Sequence, residues 1–255
     1  MTQTLPPVPE PAADWRAEIT EIGRTIAVAL VAALALHATL FQPFTIPSSS
    51  MEPGLVTGDY IVVSKYAYGW SLASPSIRLP LAPGRLFGRD PARGDVVVFR
   101  LPRDPKQVWI KRVIGLPGDR VQALGGEVRV NGRPLSQMPL APTRDLDSPE
   151  RIVVPTLEGQ PDGRTYLTYD GGPGSPADDM PVVVVPNGAY LVMGDNRDNS
   201  LDGRFPREIG VGMLPAENLL GKAEVIVASW RPGASLFKPW TWPDLRPDRF
   251  WHRIV

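Results

Sequence analysis

Three short segments hold the side chains that could do chemistry. The first reads Ile46-Pro47-Ser48-Ser49-Ser50-Met51-Glu52-Pro53, three serines between two prolines. Taken alone, such a run is usually an ordinary turn, because Ser and Pro dominate loops. Flanking prolines also restrict the backbone, which suits a hydroxyl held in one place. A serine hydroxyl is a weak nucleophile near neutrality and needs a base. The second segment, Val108-Trp109-Ile110-Lys111-Arg112-Val113-Ile114-Gly115, offers one. Strand alternation puts Trp109, Lys111 and Val113 on one face and Ile110, Arg112 and Ile114 on the other. A lysine bracketed by apolar neighbours is either an edge-strand guard against aggregation or a desolvated amine whose pKa burial has lowered. An ordinary lysine is almost wholly protonated at pH 7. A drop of about two units, costing about 2.7 kcal/mol, makes the amine a usable base.

Other bases are scarce. The chain has no cysteine and two histidines, His37 in an apolar run and His252 near the C-terminus. A catalytic cysteine, a Cys-based metal site and a Ser-His-Asp triad are therefore not expected. With no candidate histidine in the β region, lysine is the base left for a serine, and Ser-Lys dyads are a known variant of triad logic. The third segment is Gly194-Asp195-Asn196-Arg197-Asp198-Asn199-Ser200-Leu201-Asp202-Gly203-Arg204. Asp198, Ser200, Asp202 and Gly203 match half of a calcium loop. The closing acid should then be residue 209, which is Ile209, with Glu208 one place early. A hydrogen-bonded turn beside the site fits better. In it Ser200 orients Lys111, as a third group orients the base of a triad, and Asp195, Asp202 and Arg204 brace the loop.

These groups need a scaffold. The 255 residues suffice for a large domain or a core with a second lobe. Lys+Arg and Asp+Glu are both 27, so nothing points to nucleic acid. Residues 1–22 are expected to be a polar tail. The run IAVALVAALALHATLF over 26–41 extends to a membrane-spanning signal-anchor helix over 23–43, close to the ~20 apolar residues a span needs. A cleavable signal peptide is the competing reading, since Ala33-Leu34-Ala35 resembles a cleavage site, but the preceding tail is long and carries Glu10, Asp14, Glu18 and Glu21. Beyond Phe44 the pattern is mostly β. β-Branched runs cover 61–63, 96–99, 108–114, 151–156, 165–169, 181–185, 189–193 and 223–229. Glu127-Val128-Arg129-Val130, Asn131-Gly132, Arg133-Pro134-Leu135 reads as a hairpin. No βαβ alternation is seen. The expected fold is a set of antiparallel sheets: a catalytic core over 44–119 and 187–255, with a smaller inserted β lobe over 120–186.

Taken together the segments resemble the bacterial type I signal peptidases, the leader peptidases of family S26. Pro47-Ser48-Ser49-Ser50-Met51 resembles the nucleophile box, and Gly58-Asp59-Tyr60-Ile61-Val62-Val63 with Lys65-Tyr66-Ala67-Tyr68-Gly69 the box after it. Arg93-Gly94-Asp95-Val96-Val97-Val98-Phe99 and Lys111-Arg112-Val113-Ile114-Gly115-Leu116-Pro117-Gly118-Asp119 resemble the base box, and Gly194 to Ser200 the last. The likeness runs from the anchor to about Ala223 and is loose over 122–186. It implies Ser50 as nucleophile, Lys111 as general base, the Ser50 N–H and Ser48 hydroxyl as oxyanion hole, and Ser200 bonded to the lysine. It implies removal of signal peptides from preproteins after small residues (Ala-x-Ala), with Phe44, Ile46, Met51, Leu55 and Ile110 as pocket walls. It further implies no cofactor and no metal, and a single-pass protein of the bacterial cytoplasmic membrane with its catalytic domain on the extracytoplasmic face. A monomer is the expectation, with the lipid bilayer and preproteins as partners and no nucleic acid. Two departures stand out: Gram-negative members studied have two spans, and Ser49 sits where the family often has Gly. Trp240, Trp242 and Trp251 with nearby arginines suit either a membrane interface or simple packing. The rival readings are a self-cleaving Ser-Lys peptidase of the repressor type and a membrane-tethered β domain that only binds partners. The first lacks a helix-turn-helix here, and the second would leave the lysine titrating normally.

Overall fold

The β-branched runs that crowd the sequence after residue 40 form strands, and the apolar run before it forms a helix. The structure, a computed structural model, describes residues 15–69, 87–231, 233–234 and 238–255. Helix α1 spans Trp15–Thr39. Sixteen strands follow among the described residues: β1 Phe41–Thr45, β2 Asp59–Ser64, β3 Val96–Leu101, β4 Asp104–Gly115, β5 Arg120–Leu124, β6 Glu127–Val130, β7 Arg133–Pro134, β8 Ser136–Pro139, β9 Thr143–Arg144, β10 Ile152–Gly159, β11 Thr165–Asp170, β12 Met180–Val184, β13 Ala189–Met193, β14 Leu214–Pro215, β15 Leu219–Ser229 and β16 His252–Arg253. The chain divides into two units, 1–37 and 38–255.

In the first unit, residues 1–14 of the expected tail lie outside the described residues, and from Trp15 the rest of the tail is already helix. A helix forms where a membrane-spanning one was expected over 23–43, but with the bounds Trp15–Thr39. Among the described residues no helix is long and apolar enough to cross a membrane. Glu18, Glu21 and Arg24 occupy the first turns of α1, and the unbroken apolar run starts only at Ile26. Residues 41–43, counted as helix from hydropathy, form part of an edge strand instead. Pro43 lacks the amide N–H a helix interior needs and is tolerated at a sheet edge.

In the second unit the main sheet is antiparallel and has the order β1-β2-β15-β3-β4-β13-β14, with β16 added to β15. Alternate residues of β3 enter different clusters. Val96 and Val98 join Ile46, Met51, Leu55, Ile61 and Ile110, while Val97 and Phe99 join Val113, Tyr190, Val192 and Leu219. A sheet with apolar packing on both faces explains why its central strands read as continuous rather than alternating apolar runs. Between Arg120 and Val184 the chain leaves this sheet and builds two four-stranded ones, β12-β5-β6-β7 and β11-β10-β8 with β9 on β10. Strand β12 pairs with β5, joining the two ends of that excursion. The chain then returns as β13, which pairs with β4 through Leu191↔Gly115, Val192↔Val113 and Met193↔Arg112. The hairpin expected at Asn131-Gly132 forms between β6 and β7, with both turn residues at positive φ (54° and 79°) as a two-residue turn requires.

Candidate active site

The turn that carries Ser50 is pinched off from the sheet at its neck. Ile46 N–H donates to Asp59 O at 2.8 Å, and Gly58 N–H to Ile46 O at 2.9 Å. Between them Ser49–Met51 forms one 3-10 turn, entered from an extended Ser48 and closed by Glu52 N–H on Ser49 O at 3.1 Å. Met51 and Leu55 are 0% and 1% exposed and root the turn in the core. Of the five residues expected as pocket walls, Ile46, Met51, Leu55 and Ile110 belong to the buried core cluster, and Phe44 packs partly against it. Ile110 also lines the cleft beside Ser50 and Lys111.

Lys111 reaches the turn from the middle of β4, whose register pairs it with Val97 of β3. Its Nζ donates to Ser50 Oγ at 2.6 Å. The side chain is buried, with the residue 3% exposed, and Nζ sits 5.6 Å from the centre of the Trp109 ring. Burial pulls its pKa from 10.5 down to about 8, against the opposing pull of the Asp202 and Asp195 carboxylates. Ser49, the neighbouring hydroxyl, is engaged elsewhere: Asn199 Nδ2 donates to its Oγ at 2.8 Å. The adjacent serines are thus separated by their partners.

The loop after β13 closes the site from the other side. Its backbone is held to the Ser50 turn by Asn196 N–H on Ser50 O at 3.2 Å, and to β11 by Tyr169 N–H on Asp195 O and Arg197 N–H on Tyr169 O, each 2.8 Å. Asp202 accepts from Gly194 N–H at 2.8 Å and pairs with Arg204 at 2.8 and 2.9 Å. Burial alone would raise the Asp202 carboxyl, but the Arg204 guanidinium and these backbone donors outweigh it and hold it below the usual carboxylate range. Asp195 takes a two-pronged bond from Arg112, Nε at 2.8 Å and Nη2 at 2.7 Å. The bracing roles expected of Asp195, Asp202 and Arg204 therefore have direct bonding counterparts. Ser200 differs. It lies in the same cleft as Ser50 and Lys111, but its buried Oγ has no hydrogen-bond partner, so the expected bond to the lysine is not formed. Gly194 packs so closely that a Cβ there would meet Ser200 Oγ at 2.3 Å and Ser50 O at 2.4 Å.

Sequence reading missed the layer beneath. Arg197 pairs with the fully buried Glu158 of β10 through two 2.7 Å bonds, and Tyr166 of β11 donates its hydroxyl to the same carboxylate. Arg112 stacks over the Tyr166 ring with its Cζ 3.8 Å from the centre. Burial would raise the Glu158 carboxyl, but Arg197 and Tyr166 hold it low. Alternation had placed Arg112 opposite Lys111, which was the one available signal. Glu158 and Tyr166 sit in the segment where the family boxes give no guidance.

The cleft has a volume of about 620 Å³ and opens onto Ser48, Ser50 and Lys111. Its apolar walls are Val108, Trp109, Ile110, Leu201 and Phe205. Among the described residues no group of His, Cys, Asp and Glu side chains is arranged to hold a metal.

The family profile described as signal peptidase, peptidase S26, matches residues 19–230. The chain is 38% identical over 202 residues to a signal peptidase I of Rickettsia typhi, covering 76% of this chain and 74% of that protein. It is 36% identical over 211 residues to that of Rickettsia canadensis, covering 80% and 77%. A crystal structure of a signal peptidase I from Enterococcus faecalis aligns at 26% identity with a TM-score of 0.32, covering 52% of this chain and 97% of that one. On the profile match and these identities, the chain belongs to the signal peptidases of peptidase family S26, a family of serine endopeptidases.

Proposed function

We propose that this protein removes signal peptides from exported preproteins, with Ser50 as nucleophile and Lys111 as general base. The observation that carries the reading is the 2.6 Å separation of Lys111 Nζ and Ser50 Oγ. With a pKa of about 8, the amine is neutral in about one molecule in ten at pH 7, against about one in 3,000 at 10.5. The neutral amine accepts the Oγ proton as Oγ attacks the scissile carbonyl. The Ser50 N–H and Ser48 hydroxyl donate to the developing oxyanion, each such donor being worth about 2.7–4 kcal/mol in comparable sites. The Lys111 ammonium then protonates the leaving amine. Restored to neutrality, the amine takes a proton from the water that hydrolyses the acyl ester. Ala-x-Ala specificity follows from the apolar walls excluding bulky side chains. The chemistry needs no metal or cofactor.

Processing of a preprotein carrying an Ala-x-Ala site tests the assignment. Ser50→Ala and Lys111→Ala should each abolish it, while Ser49→Ala should stay within a few-fold of the parent. Full activity in Ser50→Ala removes the dyad.

The membrane is the second part of the proposal. Ile26, Val28, Leu30, Val31 and Leu34 on α1 are each more than half exposed, and apolar side chains in that number favour lipid over water. We take α1 with its flanks as a single-pass anchor in the bacterial cytoplasmic membrane, the catalytic part acting as a monomer on the extracytoplasmic face. Recovery of the full-length protein in the supernatant after an alkaline carbonate wash of membranes would contradict the anchor.

A further inference from the structure

The turn that carries Ser50 also carries a carboxyl that the dyad does not use. Glu52 is 0% exposed, and neither of its oxygens has a hydrogen-bond partner. The carboxyls of Asp145 and Asp147 face it from the turn between β9 and β10. Two ionised carboxylates have no donor to share, so this contact is bonded only when one of them holds a proton. The Asp145 oxygens already accept from Asp147 N–H at 3.1 Å, Ser148 N–H at 3.0 Å and Arg151 at 3.2 Å. Asp147 is half-buried and accepts from Thr57. Glu52 has nothing else. Burial first, then the charges of Asp147 and Asp145, push its pKa up to about 9.

The backbone ties this carboxyl to the dyad in a closed circuit. Glu52 N–H closes the Ser49–Met51 turn on Ser49 O at 3.1 Å, and Asn196 N–H holds Ser50 O at 3.2 Å. The Asn196 side chain reaches Asp145 Oδ2 at 3.4 Å, and Asp145 faces Glu52. We propose that Glu52 is a positioning residue that works as a neutral acid, its proton bridging to the carboxylates of the 145–147 turn and clamping the nucleophile turn to the lobe. Loss of that proton places unpaired negative charge inside the circuit and loosens Ser50.

The charged groups packed against Gly54, two residues on, are already committed. Asp59 is paired with Arg249 at 2.7 Å, and Asp195 with Arg112 at 2.7 Å. Arg151 is held by Asp145 at 3.2 Å. The Tyr169 phenol is raised by burial and by Glu52 and Asp145, and stays neutral. None of these supplies a cation to Glu52 itself.

The inference rests on the Ser50–Lys111 reading, and one pH profile separates the two. In kcat/KM for preprotein processing, Lys111 sets the acid limb and Glu52 the alkaline limb. The full-length protein should show activity rising through about pH 8 and falling through about pH 9. Glu52→Gln carries a permanent amide donor in place of the proton. It should keep the acid limb and lose the alkaline fall, with at least a tenfold gain over the parent at pH 10.5. Asp147→Asn removes a charge that raises Glu52, so its alkaline fall should move to lower pH. This second variant decides the matter if the first does not fold. An alkaline limb unmoved in both variants overturns the clamp while leaving the dyad standing. A missing acid limb, with activity retained in Ser50→Ala, overturns the dyad instead.

Discussion

Gly194→Ala is the smallest change that should dismantle the site without touching either member of the dyad. A Cβ built there lies 2.4 Å from Ser50 O, 2.3 Å from Ser200 Oγ and 2.6 Å from Ser200 Cβ, where real contacts stay above 3.0 Å. The Ser200 hydroxyl can rotate away, but the Ser50 carbonyl is backbone and is bonded to Asn196 N–H at 3.2 Å. Reaching 3.0 Å from 2.4 Å requires the loop and the nucleophile turn to part by about 0.6 Å. If the turn takes that movement, the 2.6 Å bond between Lys111 and Ser50 opens to the limit of a useful hydrogen bond. Misplacements approaching 1 Å cost about 100-fold in rate, and overpacking a close contact destabilises by about 1–3 kcal/mol. The expected outcome is a kcat about 100-fold lower and a KM little changed. The Tm should fall by roughly 2–12 °C, at about 2–4 °C per kcal/mol for a unit of this size. Single-turnover processing and a thermal melt on the same preparation measure both. A folded Gly194→Ala enzyme with kcat within about threefold of the parent would refute the claim that this approach sets the dyad geometry.

Met51→Ala removes a side chain that roots the turn in the core, so it should destabilise by about 2–5 kcal/mol in urea unfolding and leave the preference between Ala and Val before the cut unchanged. A changed preference with unchanged stability would return Met51 to the pocket wall. Lys111→Met should abolish activity yet raise stability. The lysine's pKa is about 8 folded and 10.5 unfolded, so the folded state binds fewer protons between those values and stability rises with pH there. The cost of the buried amine is therefore complete below pH 8, at about 3 kcal/mol, and gone by pH 10.5. Urea midpoints at pH 6.5 and pH 10.5 should show the variant's advantage at the first and its loss at the second.

How far the sequence revealed this follows from which interactions are local. Strand alternation, a property of a few neighbouring residues, and the lack of a usable histidine, a property of composition, pointed to Lys111. The Asn131-Gly132 hairpin was readable for the same reason, as positive φ at two successive residues demands those types. That Met51 and Leu55 root the turn in the core was not legible, because an apolar residue beside a serine looks the same whether it lines a cleft, anchors a turn or does both. The core they join is built from strands such as β3 and β15, which are distant in sequence. Ser200 was assigned by analogy with a triad, and its unpartnered hydroxyl depends on sub-ångström packing against Gly194. Glu158, Tyr166 and Arg197 meet across β10, β11 and the 194–204 loop, and no spacing rule links an acid in one lobe strand to an arginine in a loop of the main sheet. The C-terminal bound of the helix was placed too late because hydropathy ran on past Phe41, while Pro43 and pairing with β2 make those residues a strand.

The central claim is that Ser50 is served by a buried lysine that is neutral in a usable fraction of molecules near pH 7. The most direct measurement is an NMR titration of the Lys111 side chain in the folded, uninhibited protein, assigned by its loss in Lys111→Met. The account predicts a midpoint at about 8. A midpoint near 10.5, the value of an ordinary lysine, would contradict it.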